Sequence, residues 1–178
     1  MVTVGEYVIT AEEIAEQARG LKLLRIYWLQ YTLAGEALRA YRRGDLSRVA
    51  EVKDVVDEAR SMLEPYAESG DLGASVYVVQ LAGMSQFLAQ MLESREPSRD
   101  VGKLAASLSD EDLVKLEEEL AARALKAYLA EDLKELRGLR ELILSILRRS
   151  RPERKRVERL CGVESFISAA IVELEAEH

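Results

Sequence analysis

The chain contains no asparagine, one cysteine and one histidine. Cys161 alone cannot close an internal disulfide, so no covalent staple holds the fold and a reducing, cytoplasmic setting is expected. The histidine is His178, the last residue, a position where order is least expected. Its place removes His-x-x-x-His and Ser/His/Asp arrangements, and one cysteine leaves no Cys-x-x-Cys pair for zinc. No glycine-rich loop follows a strand pattern, which removes the common phosphate-cradling folds. Cationic excess is missing as well. A net charge of −7 argues against broad wrapping of nucleic acid, because phosphates are held by many Lys and Arg contacts. Met1 to Ile9 carries no positive charge ahead of its apolar residues and does not read as a secretion signal.

What remains suits a soluble helical protein. Apolar residues make up 48% and charged residues 32%, enough for a sizeable core under a charged surface. The length fits one domain, or two small ones sharing a core. Arginine outnumbers lysine and thermolabile amides are scarce, a pattern of heat-adapted proteins. Leu72 to Leu92 carries no charge and is long enough to span a bilayer. Its Ser75, Gln80, Ser85, Gln86 and Gln90 would be costly against lipid, so a buried helix is expected and membrane insertion is not.

The chain repeats itself. Ala37-Leu-Arg-Ala-Tyr-Arg-Arg-Gly-Asp-Leu46 returns as Ala124-Leu-Lys-Ala-Tyr-Leu-Ala-Glu-Asp-Leu133, and the register continues through Leu29 and Leu116, Leu33 and Leu120, and Pro65 and Pro152. Such self-similarity is a statement about architecture. The expected fold is all-α: two duplicated three-helix units forming a six-helix, bundle-like protein. The expected bounds are an N-terminal arm at 1–9, unit 1 at 10–95, a linker at 96–108 and unit 2 at 109–178.

Local signals place the helices. Thr10-Ala-Glu-Glu13 is a capping box that opens a first helix running to about Arg43. Ile26, Leu29, Leu33, Ala37 and Ala40 form its apolar stripe, with Leu21, Leu24, Trp28 and Tyr31 on a second apolar face that suggests a central helix. Gly44-Asp45 marks a turn. Val49, Val52, Val56, Ala59 and Leu63 form the next seam, matched in the copy by Leu136, Leu139, Ile143 and Ile146. Pro65 and Pro152 are expected to stop the second helices, and Ser150-Arg-Pro-Glu153 to cap the last one. The third helices should cover roughly 74–94 and 153–176. Ala82 and Gly83 align with Ala169 and Ala170, small residues that allow close helix approach. Ser109 caps the fourth helix. The arm alternates apolar and polar residues with no evident pairing partner.

Two charged groupings are candidate sites. Glu51, Asp54, Asp57 and Glu58 share a helix face at spacings of three and four, as oxygen ligands of a cation would, or as a solvated face would. No cofactor is expected, and these four carboxylates are the candidate ligands should a metal be bound. Arg148, Arg149, Arg151, Arg154, Lys155, Arg156 and Arg159 concentrate positive charge at a helix–helix junction. They could hold an anion, a nucleic-acid backbone or an acidic partner surface, or serve only in surface ion pairs. No aromatic residue lies among them to stack a base. Cys161 reads as a structural thiol.

The pattern Ala37-Leu-x-Ala-x-x-x-x-Asp45-Leu46, followed by Val49, Val52, Asp54, Val56, Asp57 and Glu58, resembles the PhoU family. The resemblance implies two three-helix units over about Leu21 to Leu174 and a non-enzymatic, often oligomeric regulator linking phosphate transport to signalling. Family members commonly bind metal clusters through acidic motifs. Here only the region of Asp54 and Asp57 approaches one, and the third-helix stretches Gly83-Met-Ser-Gln-Phe87 and Ala170-Ile-Val-Glu-Leu174 lack the family's charged motif. The sequence thus predicts a cytoplasmic regulator or adaptor that binds a protein partner and forms a homo-oligomer, the alternative being a nucleic-acid or polyanion module using 148–159. The composition predicts thermal unfolding above about 65 °C, the upper end for mesophile domains. Calorimetry of the purified chain checks it, and a lower midpoint contradicts the heat-adapted reading.

Overall fold

Side-chain caps set most of the helix starts in this computed structural model, which describes residues 1–150 and 155–177. Thr10, Asp45, Asp71, Asp100, Ser109 and Asp132 each accept a hydrogen bond from the backbone N–H three residues on. Each such cap stabilises a helix by about 1 kcal/mol. They open α1 (Ala11–Arg19), α3 (Leu46–Glu68), α4 (Leu72–Glu93), α5 (Val101–Ser107), α6 (Asp110–Leu129) and α7 (Leu133–Arg149). α2 (Leu23–Arg42), α8 (Lys155–Glu158) and α9 (Leu160–Ala176) complete the helices. Among the described residues the fold is all-α apart from one small hairpin.

That hairpin is the N-terminal arm, which pairs with itself. β1 (Val2–Val4) and β2 (Tyr7–Ile9) run antiparallel, Val2 opposite Ile9, around Gly5 at φ +60°. Val2 and Ile9 are buried, so the pair acts as a cap on the core.

Three further expectations need correction. The first helix is two helices. It breaks after Arg19, where Leu21 adopts a left-handed conformation at φ +52° and the N–H of Lys22 bonds the Gln17 carbonyl. The break lets α1 pack on α3 independently of α2. Pro65 does not stop α3, which continues to Glu68. Proline removes the bond to the Ser61 carbonyl, but both residues lie on the exposed side, where solvent can take its place. The linker at 96–108 is not irregular throughout, since it holds α5. Of the expected cap at Ser150-Arg-Pro-Glu153, only Ser150 lies within the described residues. Its hydroxyl donates back to the Ile146 carbonyl and so closes α7. Pro152 lies outside them.

The seams are as the spacing predicts. Ile26, Leu29, Leu33, Ala37 and Ala40 on α2 are buried, as are Val49, Val52, Val56, Ala59 and Leu63 on α3 and Leu136, Leu139, Ile143 and Ile146 on α7. One continuous core joins all the helices. α2 packs on α9, α6 packs on α4, and α4 and α9 cross at the centre. α4 is long and apolar enough to cross a membrane, yet more than half of its most apolar window is buried in this core. The turns α2–α3 and α6–α7 agree bond for bond. The N–H of Asp45 bonds the Ala40 carbonyl as that of Asp132 bonds Ala127, and Gly44 and Glu131 both have positive φ.

The α4–α9 crossing depends on glycine. A Cβ on Gly83 would collide with the Arg159 carbonyl, and one on Gly162 with the Gln80 carbonyl and the Met84 amide. Phe87 and Phe166 stack across the same interface with centroids 4.3 Å apart. Of the small residues expected at the crossing, Gly83 makes the approach, and its counterpart is Gly162. Gly162→Ala should cost more than about 2 kcal/mol, since the obstacles are backbone atoms. Gly138→Ala, with open space around it on α7, should instead stabilise by about 1 kcal/mol. Paired denaturant titrations check the opposite signs; equal effects contradict the crossing.

Candidate functional site

Three arginines meet beside the crossing. Arg60 comes from α3, Arg156 from α8 and Arg159 from the turn that leads into α9. With Glu64, Val78, Val79 and Ala82 they line an open pocket of about 350 Å³. The Nε atoms of Arg60 and Arg156 are shielded from solvent and have no hydrogen-bond partner. Glu64 Oε1 stands 3.9 Å from Arg60 Nε, and Asp57 Oδ1 3.9 Å from Arg60 Nη2, both beyond hydrogen-bond range. The opposite wall, Val78, Val79 and Ala82 on α4, is apolar.

Arg159 differs from its neighbours. Its Nε and Nη2 each donate at 2.9 Å to the two oxygens of Glu117, a bidentate pair. Glu117 is 2% exposed and would be an uncompensated charge without it. Arg159 therefore contributes field to the pocket while its guanidinium is held from behind. The other basic candidates divide. Arg148 and Arg149 are exposed at the end of α7. Arg151 and Arg154 lie outside the described residues, as does the Lys155 side chain.

The acidic face does not converge. Glu51, Asp54 and Glu58 are exposed, and Glu51 accepts from Arg48. Asp57 turns inward, accepting from Lys53 at 2.7 Å and from the Ser85 hydroxyl at 2.5 Å. These donors outweigh its partial burial and hold its carboxyl below the usual range, although burial by itself acts in the opposite direction. Among the described residues, no three His, Cys, Asp or Glu side chains gather to hold a metal ion.

Sequence reasoning missed three features. Arg60 carries no signal in its own helix of a role with Arg156. Glu117 did carry one, because it falls within the apolar stripe Leu113, Leu116, Leu120 and Ala124 of α6. Glu119, fully buried, accepts the N–H groups of Ser98 and Arg99 and an Arg95 Nη2, tying the linker to α6.

A second surface also stands out. Leu21 and Leu24 were expected on a buried face; instead both are exposed, Leu24 by 89%. With Tyr7, Val8, Leu23 and Tyr27 they make up half of the large exposed apolar side chains among the described residues. Tyr7 meets Trp28 edge to face and Tyr27 stacks on Tyr31, so the aromatic side chains are pre-ordered.

No family model, curated protein or solved structure matches the chain.

Burial governs the two most perturbed acids. It pushes the Cys161 thiol up to about 11, with Glu158 and Glu164 adding to it. It pushes the Tyr128 phenol up to about 12, opposed by Arg42 and reinforced by Glu173. Both groups are neutral in the fold, so their contribution is whole below their ordinary values of 9.0 and 10.0. It is lost as pH rises through the raised ones. Thermal unfolding midpoints should fall across this alkaline window, and Tyr128→Phe should flatten the upper part of the fall. A midpoint independent of alkaline pH contradicts the burial of both groups.

Proposed function

We propose that the chain is a self-associating helical regulator or adaptor, working by binding rather than catalysis. The observation that carries this reading is the apolar corner of Tyr7, Leu23, Leu24 and Tyr27, a concentration of exposed apolar and aromatic surface that typically marks an interaction site. The proposed occupant is the same corner of a second copy. Its rim carries Lys22 and Glu6, which a two-fold partner can set against each other, while Arg25 and Glu13 pair within the chain and hold the edge of the corner in place.

The finer reading of the fold belongs with this proposal: a half-chain unit copied once, α2–α4 corresponding to α6–α9. The matching turn hydrogen bonds support it, as does the reciprocal packing of α2 on α9 and α6 on α4. A PhoU-like regulator linking phosphate transport to signalling in the cytoplasm is the functional form consistent with such a build. The polyanion alternative draws less support. Among described side chains of the basic segment, only Arg148 and Arg149 face freely outward, and Arg159 is committed to Glu117.

Sedimentation equilibrium tests self-association. The wild-type chain should dimerise, and Leu24→Glu with Tyr27→Glu should give a monomer with unchanged helical circular dichroism and no loss of thermal stability beyond that of the lost interface. A wild-type monomer at all concentrations contradicts the proposal.

A further inference from the structure

We propose that the pocket between α3, α4 and α8 binds a small organic phosphate, the phosphoryl group on Arg60 and Arg156 and the organic part on Val78, Val79 and Ala82. This site is separate from the apolar corner and does not depend on self-association.

The first reason is hydrogen bonding. A solvent-shielded guanidinium N–H without an acceptor costs about 1–3 kcal/mol, so two in one small pocket mark an acceptor that belongs there. Arg95 and Arg123 also leave Nε unpaired, but their terminal nitrogens hydrogen-bond within the Glu118, Glu119 and Arg99 network. Arg60 differs, since both of its ion pairs stand at 3.9 Å. Arg156 makes no ion pair with a described carboxylate. The second reason is charge. Three guanidiniums line the pocket with one carboxylate, Glu64; Asp57 also stands 3.9 Å from Arg60 but is engaged by Lys53, and Glu117 neutralises only Arg159. An anion with several acceptor oxygens satisfies Arg60 and Arg156 together, and a phosphoryl group does so with charge-assisted bonds. The third reason is shape. The α4 wall offers no donor or acceptor side chain, so it suits the apolar portion of an ester and leaves a bare ion incompletely enclosed.

Glu64 is the built-in competitor. It stands 3.9 Å from Arg60 and must swing away, or be outweighed, when the phosphoryl group arrives. Removing its charge should therefore strengthen binding, while removing either arginine weakens it.

Isothermal titration of the full chain with phenyl phosphate, inorganic phosphate and phenol tests the site. Phenyl phosphate should bind one to one, inorganic phosphate more weakly, and phenol not at all. Arg60→Gln and Arg156→Gln should each weaken phenyl phosphate at least about tenfold, the loss of a charge-assisted hydrogen bond. Glu64→Gln should tighten it several-fold. Arg60 and Glu64 are partly exposed, so this pair of opposite effects remains readable even if Arg156→Gln fails to fold. Absence of saturable binding by either phosphate overturns the site, as does binding indifferent to both Arg60→Gln and Glu64→Gln. Equal affinity for the two phosphates overturns the apolar half of the assignment. Capture of an RNA oligonucleotide that phenyl phosphate cannot displace would assign the arginines to a polynucleotide instead.

Discussion

The near-contact of two helix backbones at Gly83 and Gly162 is the constraint on which the rest of the molecule depends. Without Cβ atoms, α4 and α9 approach until the Arg159 carbonyl lies over Gly83 and the Gln80 carbonyl over Gly162. Four of the other long helices are arranged around this pair. α2 covers α9, α6 covers α4, and α3 and α7 flank the pair. Protein interiors tolerate neither voids nor overlap, so an approach this close fixes both the spacing and the rotation of the two helices. Gly73 repeats the device at a lesser junction, seating the start of α4 against the Ala18 carbonyl at the end of α1.

The crossing also organises charge. It pins the Arg159 backbone on α4, and from there the side chain reaches buried Glu117 on α6. Glu119, two residues on, holds the linker through two backbone N–H groups and Arg95. Both buried carboxylates are therefore fully engaged and serve the architecture. At the far end, Arg39 and Tyr128 bind Glu173 and Arg42 binds Glu177, fastening the end of α9 to α2 and α6. Four arginine Nε atoms are shielded without a partner; Arg95 and Arg123 hydrogen-bond through their terminal nitrogens, whereas the ion pairs of Arg60 stand at 3.9 Å and Arg156 makes none with a described carboxylate.

Local features of this fold were legible in the sequence and meetings between distant segments were not. Thr10 and Ser109 announce helices because a short oxygen side chain satisfies an amide only three residues away. The seams on α3 and α7 can be read because a helix repeats every 3.6 residues whatever it packs against. Leu21 could not be read as a break, since leucine rarely takes a positive φ and its neighbours favour helix. Pro65 misled in the other direction, because the carbonyl it orphans faces water. Gly162 looked like any glycine near a helix start, and its role exists only opposite Gly83. Arg60 and Arg156 come from segments separated by a turn, α4 and a whole second set of helices, so no spacing rule brings them together. Leu24 illustrates the limit most plainly: its apolar face reads equally as core or as surface, and the fold leaves it exposed.

The two halves share one cooperative core through the glycine crossing. Native-state hydrogen exchange resolves this directly, because amides that exchange only on global unfolding report a common opening free energy. Amides flanking Gly83 on α4 and Gly162 on α9 should share the slowest exchange, along with central residues of α2 and α6, at one free energy equal to that of global unfolding. Two distinct free energies, one for residues before the linker and one for those after it, would show two independent bundles and contradict the claim.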